Sequence, residues 1–343
     1  MKSRRISIAL GYLVAAGALS GASRAAQAKE ALTGQALADR YIECWGLFNA
    51  ARWDEFTRCY APGAVSVAPG LPPAKGPQEI VDKHAKQLKT AMPDAAGDMQ
   101  VTLASGRYAA TIAVMHGTQS GPLVGPGGVI PPTNKKVGLM VAHAIESGPA
   151  GVASKEWYIQ DGGTFMAQLG LSKMPARPVL AGSTTEKKVV VASGSETEKK
   201  NLELAKKMYR LFNGHKKALL DDWAEDAIDH NAALPADVKG KQALADFLGG
   251  MFQMSSNIKC STPVLFAAGD YVVGIGEMAG TNDGDNPVMQ VKKTGKRFKL
   301  PFIEVTRWQD GKLVETWPFI DGASFAGQLG LVPPPARATA SAH

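Results

Sequence analysis

Asp161 and Asp321 each close a run of large apolar residues, Trp157-Tyr158-Ile159 in one case and Trp317-Pro318-Phe319 in the other. A carboxylate set against apolar neighbours is a candidate base, because desolvation lifts its pKa toward neutral. On an extended chain Trp157, Ile159 and Asp161 share one face, which would put the acid at a pocket wall. The competing reading is structural: Asp161 precedes Gly162-Gly163-Thr164 and Asp321 precedes Gly322, and Asp is a preferred helix N-cap. His143 alternates with Leu139 and Val141, His84 falls on the apolar face of a predicted helix, His116 adjoins Gly117-Thr118, and His230 lies in Asp229-His230-Asn231. Each imidazole could move a proton near neutral pH or rest satisfied in a core. Glu304, in a strand with Phe298, Leu300 and Phe302, is either a base or a partner for Lys299 or Arg307. Trp157 and Trp317 are core residues or pocket lining. Histidine and cysteine spacings that hold zinc are missing, and the Gly/Pro-rich stretch from Ser120 to Asn134 holds no Gly-Lys-Ser/Thr phosphate loop.

What positions these residues is a duplication. Glu156 to Asp161, Phe165 and Gln168-Leu169-Gly170-Leu171 return 160 positions later as Thr316 to Asp321, Phe325 and Gln328-Leu329-Gly330-Leu331. Each copy predicts a strand ending at an acid, then a short helix. A period this long denotes a repeated domain, since solenoid units are far shorter. Ahead of the first signature, Leu37, Tyr41, Trp45 and Phe48 predict an amphipathic helix, Trp53 to Cys59 a second, and Ile80 to Lys89 a third. Strand patterns follow at Met99–Leu103, Tyr108–Gly117, Lys136–Ile145 and Lys155–Ile159. The Gly- and Pro-rich stretch from Ser120 to Asn134 predicts a long ordered loop at a pocket rim. In the second half Leu204, Met208, Leu211 and Phe212 repeat the first stripe, and Asp310-Gly311 predicts a hairpin turn. Helices first and a meander afterwards argue for α+β architecture in each half.

The 343 residues accommodate two domains with real cores. Residues 1–28 predict a secretory signal peptide: Lys2, Arg4 and Arg5, the apolar run Ile6 to Ala22, then Ala26-Gln27-Ala28. Ser3-Arg4-Arg5 leaves twin-arginine export open beside the general route. A periplasmic or secreted location is therefore expected, with no membrane association after cleavage. Loss of Lys2, Arg4, Arg5 and Arg24 takes the formal charge from +7 to +3, which removes most support for a nucleic-acid partner. Cys44 and Cys59 lie in neighbouring predicted helices and either pair or stay as buried thiols beside Cys260. The domain reading is a first domain at 29–172, a linker at 173–196 with a short strand at Val189–Val191, a second domain at 197–332, and a Pro/Ala-rich tail at 333–343.

Each half resembles a SnoaL-like polyketide cyclase domain of the nuclear transport factor 2-like superfamily. The first copy carries the resemblance in Tyr60-Ala61-Pro62, Gly76 with Glu79-Ile80, His84, Met92-Pro93-Asp94, Gly117-Thr118, Pro131-Pro132-Thr133 and its Trp157…Asp161…Gln168-Leu169-Gly170 ending. The second carries it in Asp229-His230-Asn231, Gly240, Gly280-Thr281, Asp310-Gly311-Lys312 and Trp317…Asp321…Gln328-Leu329-Gly330. The resemblance implies two tandem cone-shaped α+β barrels, each a curved, mostly antiparallel sheet closed at one end by helices around an apolar pocket. It implies cofactor-independent acid–base chemistry, an aldol-type ring closure or proton transfer on a small apolar carbonyl compound. The acid of the last strand would work with a polar partner on the long strand before it, Asp161 with His143 and Asp321 with Glu304. His84, His116, Trp157, His230 and Trp317 are the expected ligand contacts. Superfamily members of this fold also bind small molecules without turnover, so an extracytoplasmic binding protein is the alternative. Single-copy relatives pair through their sheets, which makes an intramolecular pseudo-dimer, open to further self-association, the expected assembly.

Overall fold

A computed structural model describes residues 31–125, 128–173, 175–182 and 187–331; the predicted signal peptide and the tail at 333–343 lie outside these residues. In the first half α1 (Gly34–Asn49) buries Leu37, Tyr41, Trp45 and Phe48, the stripe that its spacing predicts. The short α2 (Trp53–Phe56) and a 3-10 turn (Thr57–Cys59) lead into β1 (Tyr60–Val67) and β2 (Ala74–Lys75). The third helix is longer than the pattern suggests and irregular. It begins as α3 (Pro77–Ile80), passes through a π-helical turn (Val81–Lys86) and ends as α4 (Gln87–Ala91). The strands follow: β3 (Ala96–Ser105), β4 (Tyr108–Thr118), the hairpin β5 (Leu123–Gly125) and β6 (Gly128–Ile130), β7 (Lys136–Ser147) and β8 (Ala153–Gln160), before α5 (Gly162–Gln168). The Gly/Pro-rich stretch thus holds a two-stranded hairpin.

The segment between the halves does not run free. Leu180 donates its N–H to the Gly138 carbonyl (2.9 Å), and β9 (Lys188–Val191) pairs in parallel with β3. The second half opens on α6 (Glu196–Asn213), started by a Ser195/Glu198 capping box, and continues through a 3-10 turn (Lys217–Leu220) to β10 (Trp223–Asp229) and β11 (Val238–Lys239). Then come α7 (Lys241–Met254), β12 (Lys259–Ala268), β13 (Tyr271–Thr281), β14 (Arg297–Gln309), β15 (Lys312–Phe319) and α8 (Gly322–Leu329).

Both sheets are mixed and mostly antiparallel, as the α+β reading requires. Their orders are β2-β1-β8-β7-β4-β3-β9 and β11-β10-β15-β14-β13-β12. Neither closes on itself, which corrects the expectation of barrels: the two ends of each sheet are not hydrogen-bonded to each other, and helices cover the concave side instead. The central strands have two buried faces with different neighbours. Residues such as Leu139, Val141 and Ile145 of β7 face the helices of their own half. Ala142 and Ala144 of β7, Trp157 and Ile159 of β8 join Val264, Phe266, Val273, Ile303 and Phe319 of the second half in one apolar cluster between the two sheets. The central strands therefore read as continuous apolar runs, without a solvent face.

Cys44 of α1 and Cys59, at the end of the 3-10 turn, form a disulfide with their Cα atoms 6.1 Å apart. The bridge resolves the alternatives left open by the sequence, and Cys260 stays a free thiol. Closing a loop of 15 residues restricts the unfolded chain by about 3 kcal/mol. Replacing both cysteines by serine should lower the urea-unfolding free energy by about that amount; an unchanged midpoint and slope would refute it.

Candidate functional site

The first half encloses an apolar cavity of about 200 Å³. Its apolar wall includes Phe48, Phe56, Ile80, Leu88 and Met115, with Leu71, Leu123 and Val124 nearer the surface. Beside Lys83, Gln87, Tyr158 and Gln160, its polar lining holds one connected set of side chains. His143 on β7 places Nε2 2.7 Å from Glu156 Oε1 on β8. Tyr60 on β1 donates its hydroxyl to the same oxygen, also at 2.7 Å. On the other side of the ring, Tyr41 Oη lies 2.6 Å and Trp45 Nε1 3.3 Å from His143 Nδ1. Trp45 can reach the ring because residue 97 is glycine; a Cβ there would lie 2.1 Å from the indole. Ser66 on β1 helps hold the Glu156 carboxyl down and has its Oγ 3.0 Å from Nδ1 of His84.

Electrostatics fix the proton positions. Burial pushes Glu156 up, but the hydrogen bond and attraction of His143, joined by Ser66 and Tyr60, outweigh it and hold the carboxyl down at about 2. An ionised carboxylate only accepts, so His143 Nε2–H donates to it and the nearby Ser66 hydroxyl turns its hydrogen toward it. Trp45 N–H can only donate, so it favours the His143 tautomer with the lone pair on Nδ1. Both His143 nitrogens are then engaged. With its hydroxyl hydrogen turned toward the Glu156 carboxylate, Ser66 accepts from His84 Nδ1–H, which leaves the lone pair of His84 on Nε2. Among the described residues nothing bonds that nitrogen. Burial lowers the His84 pKa, against smaller opposing effects of Glu156 and Glu79, so the ring is neutral at pH 7. His84 sits in the π-helical turn, which makes this helix one residue longer than its counterpart α7. Such turns recur at functional sites.

Several expected site residues lie elsewhere. Asp161 accepts from Thr164 N–H (2.6 Å) as the N-cap of α5, and Asp321 caps α8 through Ala323 and Ser324 N–H (3.1 and 3.2 Å). Each also reaches across the molecule: Gly322 N–H donates to Asp161 Oδ1 and Gly162 N–H to Asp321 Oδ1, both at 2.8 Å. Among the described residues, neither carboxylate lines the cavity of the first half or that of the second, so the structure favours the capping reading over the catalytic one. Trp157 belongs to the cluster between the sheets. Trp317 packs beside that cluster and stacks on His230 (4.9 Å between ring centres), whose Nδ1 is 3.1 Å from Asp237. His116 pairs with Asp98 at 3.0 Å, away from the cavity. Of the expected residues, His143 and His84 meet in the first cavity and Glu304 lines a second one. Removing the cap with Asp161→Ala orphans two helix-terminal N–H groups and should cost about 2 kcal/mol. Thermal melts would check this, and loss of ligand binding without loss of stability would contradict it.

The sequence profile of the SnoaL-like polyketide cyclases matches residues 35–169 and again 203–329. The chain belongs to the SnoaL-like polyketide cyclase family. Both family repeats span the helices and the sheet of one half. Among solved structures, a candidate SnoaL-like polyketide cyclase from Jannaschia sp. CCS1 is 18% identical, over 40% of this chain and 97% of its own, with a TM-score of 0.37. IdmH, a candidate polyketide cyclase from Streptomyces antibioticus, is 22% identical over 38% of this chain and 98% of its own, with a TM-score of 0.33. A nuclear transport factor 2-like protein from Burkholderia xenovorans LB400 is 22% identical over 38% and 97%, with a TM-score of 0.32. Comparison with curated proteins gave no match. The two matches of the family profile fall one on each repeat, and membership of the family supports a function of the cyclase or isomerase type.

Glu156 and Tyr60 were not foreseen as site residues, although Glu156 opens the duplicated signature and Tyr60 lies in a stretch that carries the family resemblance. A signal was available: on an alternating strand, Glu156 is one residue out of phase with Trp157, so the two face opposite sides. Gln160 shares the Glu156 face and lines the cavity, its Oε1 accepting from Tyr158 Oη at 2.9 Å.

Proposed function

We propose that the first cavity performs cofactor-independent acid–base chemistry on a small apolar carbonyl compound, an aldol-type ring closure or a proton transfer. The observation that carries this reading is the neutral His84 ring in an apolar cavity, oriented by Ser66 and Glu156 with its Nε2 lone pair unused. A base of this kind takes the proton α to the substrate carbonyl. The Tyr158 hydroxyl holds the Gln160 amide so that its NH₂ group is left to donate to the developing oxyanion. In a ring closure the carbanion then bonds a second carbonyl carbon, and the new alkoxide takes the proton back from His84. His143 and Glu156 act through Ser66 by fixing the His84 tautomer. Export to the periplasm or beyond belongs to the same proposal, supported by the residue pattern at 1–28 and by the Cys44–Cys59 bridge.

The test is α-proton exchange. Apolar cyclic ketones and 1,3-diketones are incubated with the protein in D₂O and deuterium incorporation is followed by NMR. Catalysed exchange of a bound compound is the expected result. Saturable binding with no exchange above the buffer rate would overturn the enzyme reading in favour of a binding protein.

A further inference from the structure

The second half repeats the architecture of the first cavity but not its chemistry. Here the cavity has a volume of about 100 Å³, with Met208, Phe212, Leu219, Phe247, Met251 and Phe302 in its wall. Register places Asp229 where the first half has Ser66: Ser66 pairs with Ala74 and Glu156, Asp229 with Val238 and Thr316. Thr316 therefore replaces Glu156, and Glu304 replaces His143. Tyr209 takes the place of Trp45, and it has room because residue 274 is glycine; a Cβ there would lie 2.3 Å from the Tyr209 hydroxyl.

Glu304 is fully served. Its Oε2 accepts from Tyr209 Oη at 2.6 Å and its Oε1 from Thr316 Oγ1 at 3.1 Å; burial raises its pKa, and these two hydroxyls pull against that rise and favour its ionised form. Asp229 is only 5% exposed and lines the same cavity, and its Oδ1 has no hydrogen-bond partner among the described residues. Burial first, and then the Glu304 charge with a smaller push from Asp237, raises Asp229 to about 8 against the pull of Arg177 and of the Asn231 backbone. Arg177 is occupied outside the cavity by the Asn231 carbonyl (3.0 and 2.8 Å) and by Asp237 (2.8 Å). The other groups facing this space bring no countercharge: Cys260 on β12 is kept a neutral thiol by burial, and α7 contributes Phe247, Leu248 and Met251. His230, next in the chain, is held by Asp237, Glu315 and Trp317. At neutral pH Asp229 is thus a buried carboxylic acid, a hydrogen-bond donor without an acceptor.

We propose that the second cavity is a separate binding site for a compact, uncharged carbonyl compound, whose oxygen accepts a hydrogen bond from the carboxyl group of Asp229. An anion would meet Glu304, and a cation would find Glu304 already bonded by two hydroxyls. The proposal does not depend on turnover in the first cavity.

The experiment uses the full chain with ¹³C-methyl methionine, titrated with cyclohexanone. Met208, Met251 and Met278 report the second cavity and Met115 the first. Cyclohexanone should shift the second-cavity methyls. Asp229→Leu should weaken that binding by roughly tenfold or more, the equivalent of one lost hydrogen bond to a buried donor. Binding to the wild type should weaken as pH rises past about 8, whereas Asp229→Asn, whose amide donates at every pH, should bind without that dependence. Unperturbed second-cavity methyls, equal affinity for Asp229→Leu, or tighter binding of cyclohexylammonium than of cyclohexanone would each overturn the proposal.

Discussion

Glu156→Ala is expected to destabilise the protein by about 3–5 kcal/mol at neutral pH, the summed cost of leaving its buried donors unpaired at about 1–3 kcal/mol each. Two donors meet this carboxylate at Oε1, His143 Nε2–H and the Tyr60 hydroxyl, and the Ser66 hydroxyl adds a further pull. Glu156 is only 6% exposed, so water cannot replace it. Glu156→Gln keeps an acceptor for the two donors on Oε1 and should cost less, about 1–2 kcal/mol. Acid stability follows the same residue. Its folded pKa lies below the unfolded value, so its contribution is present above about pH 4 and is lost as pH falls toward 2. Urea melts at pH 7 and pH 3 should therefore show a gap between wild type and Glu156→Ala that narrows in acid. A gap of equal size at both would refute the assignment.

His84→Gln should lower the exchange or ring-closure rate by about 10²–10⁴, the range of a general base, with little change in KM. Glutamine preserves much of the ring's volume and can still meet Ser66, so stability should hardly move. In the wild type the rate should fall as pH is lowered through the His84 pKa, which burial sets below the ordinary histidine value. Ser66→Ala should leave the base in place but free to turn, a loss of about tenfold in rate that the pH profile would not share. If His84→Gln retains the wild-type rate, the base lies elsewhere.

The duplication, the helix stripes and the α+β order were legible because they rest on periodicity, which burial enforces strongly. The phase of β8 was not. When one face of a strand meets water, alternation tells inside from outside; β8 is covered on both faces, by its own half's cavity and by the other half's sheet. Trp157 looks like the core residue and Glu156 like the solvent residue, yet Trp157 meets the other sheet and Glu156 the cavity. Assigning Asp161 to the Trp157 face was correct, and it is the reason Asp161 misses the cavity. His84 was legible from its place on an apolar helix face, and the π-helical turn that carries it left no signature in a single copy. Tyr209 escaped the predicted stripe because Leu204, Met208, Leu211 and Phe212 outline a neighbouring face of α6, while Ala205, Met208 and Tyr209 are the buried positions.

The exchanged caps of α5 and α8 bear on how the molecule unfolds. Asp161 serves the first turn of α8 and Asp321 that of α5, at contacts 161 and 159 residues apart in the chain. Neither half holds all the groups that satisfy its own terminal helix, and the apolar cluster between the sheets belongs to both. Melting of one half would strip the other of a cap and uncover its sheet. The two repeats therefore form a single cooperative unit, and calorimetry should record one endotherm for the intact chain where two independent domains would give two.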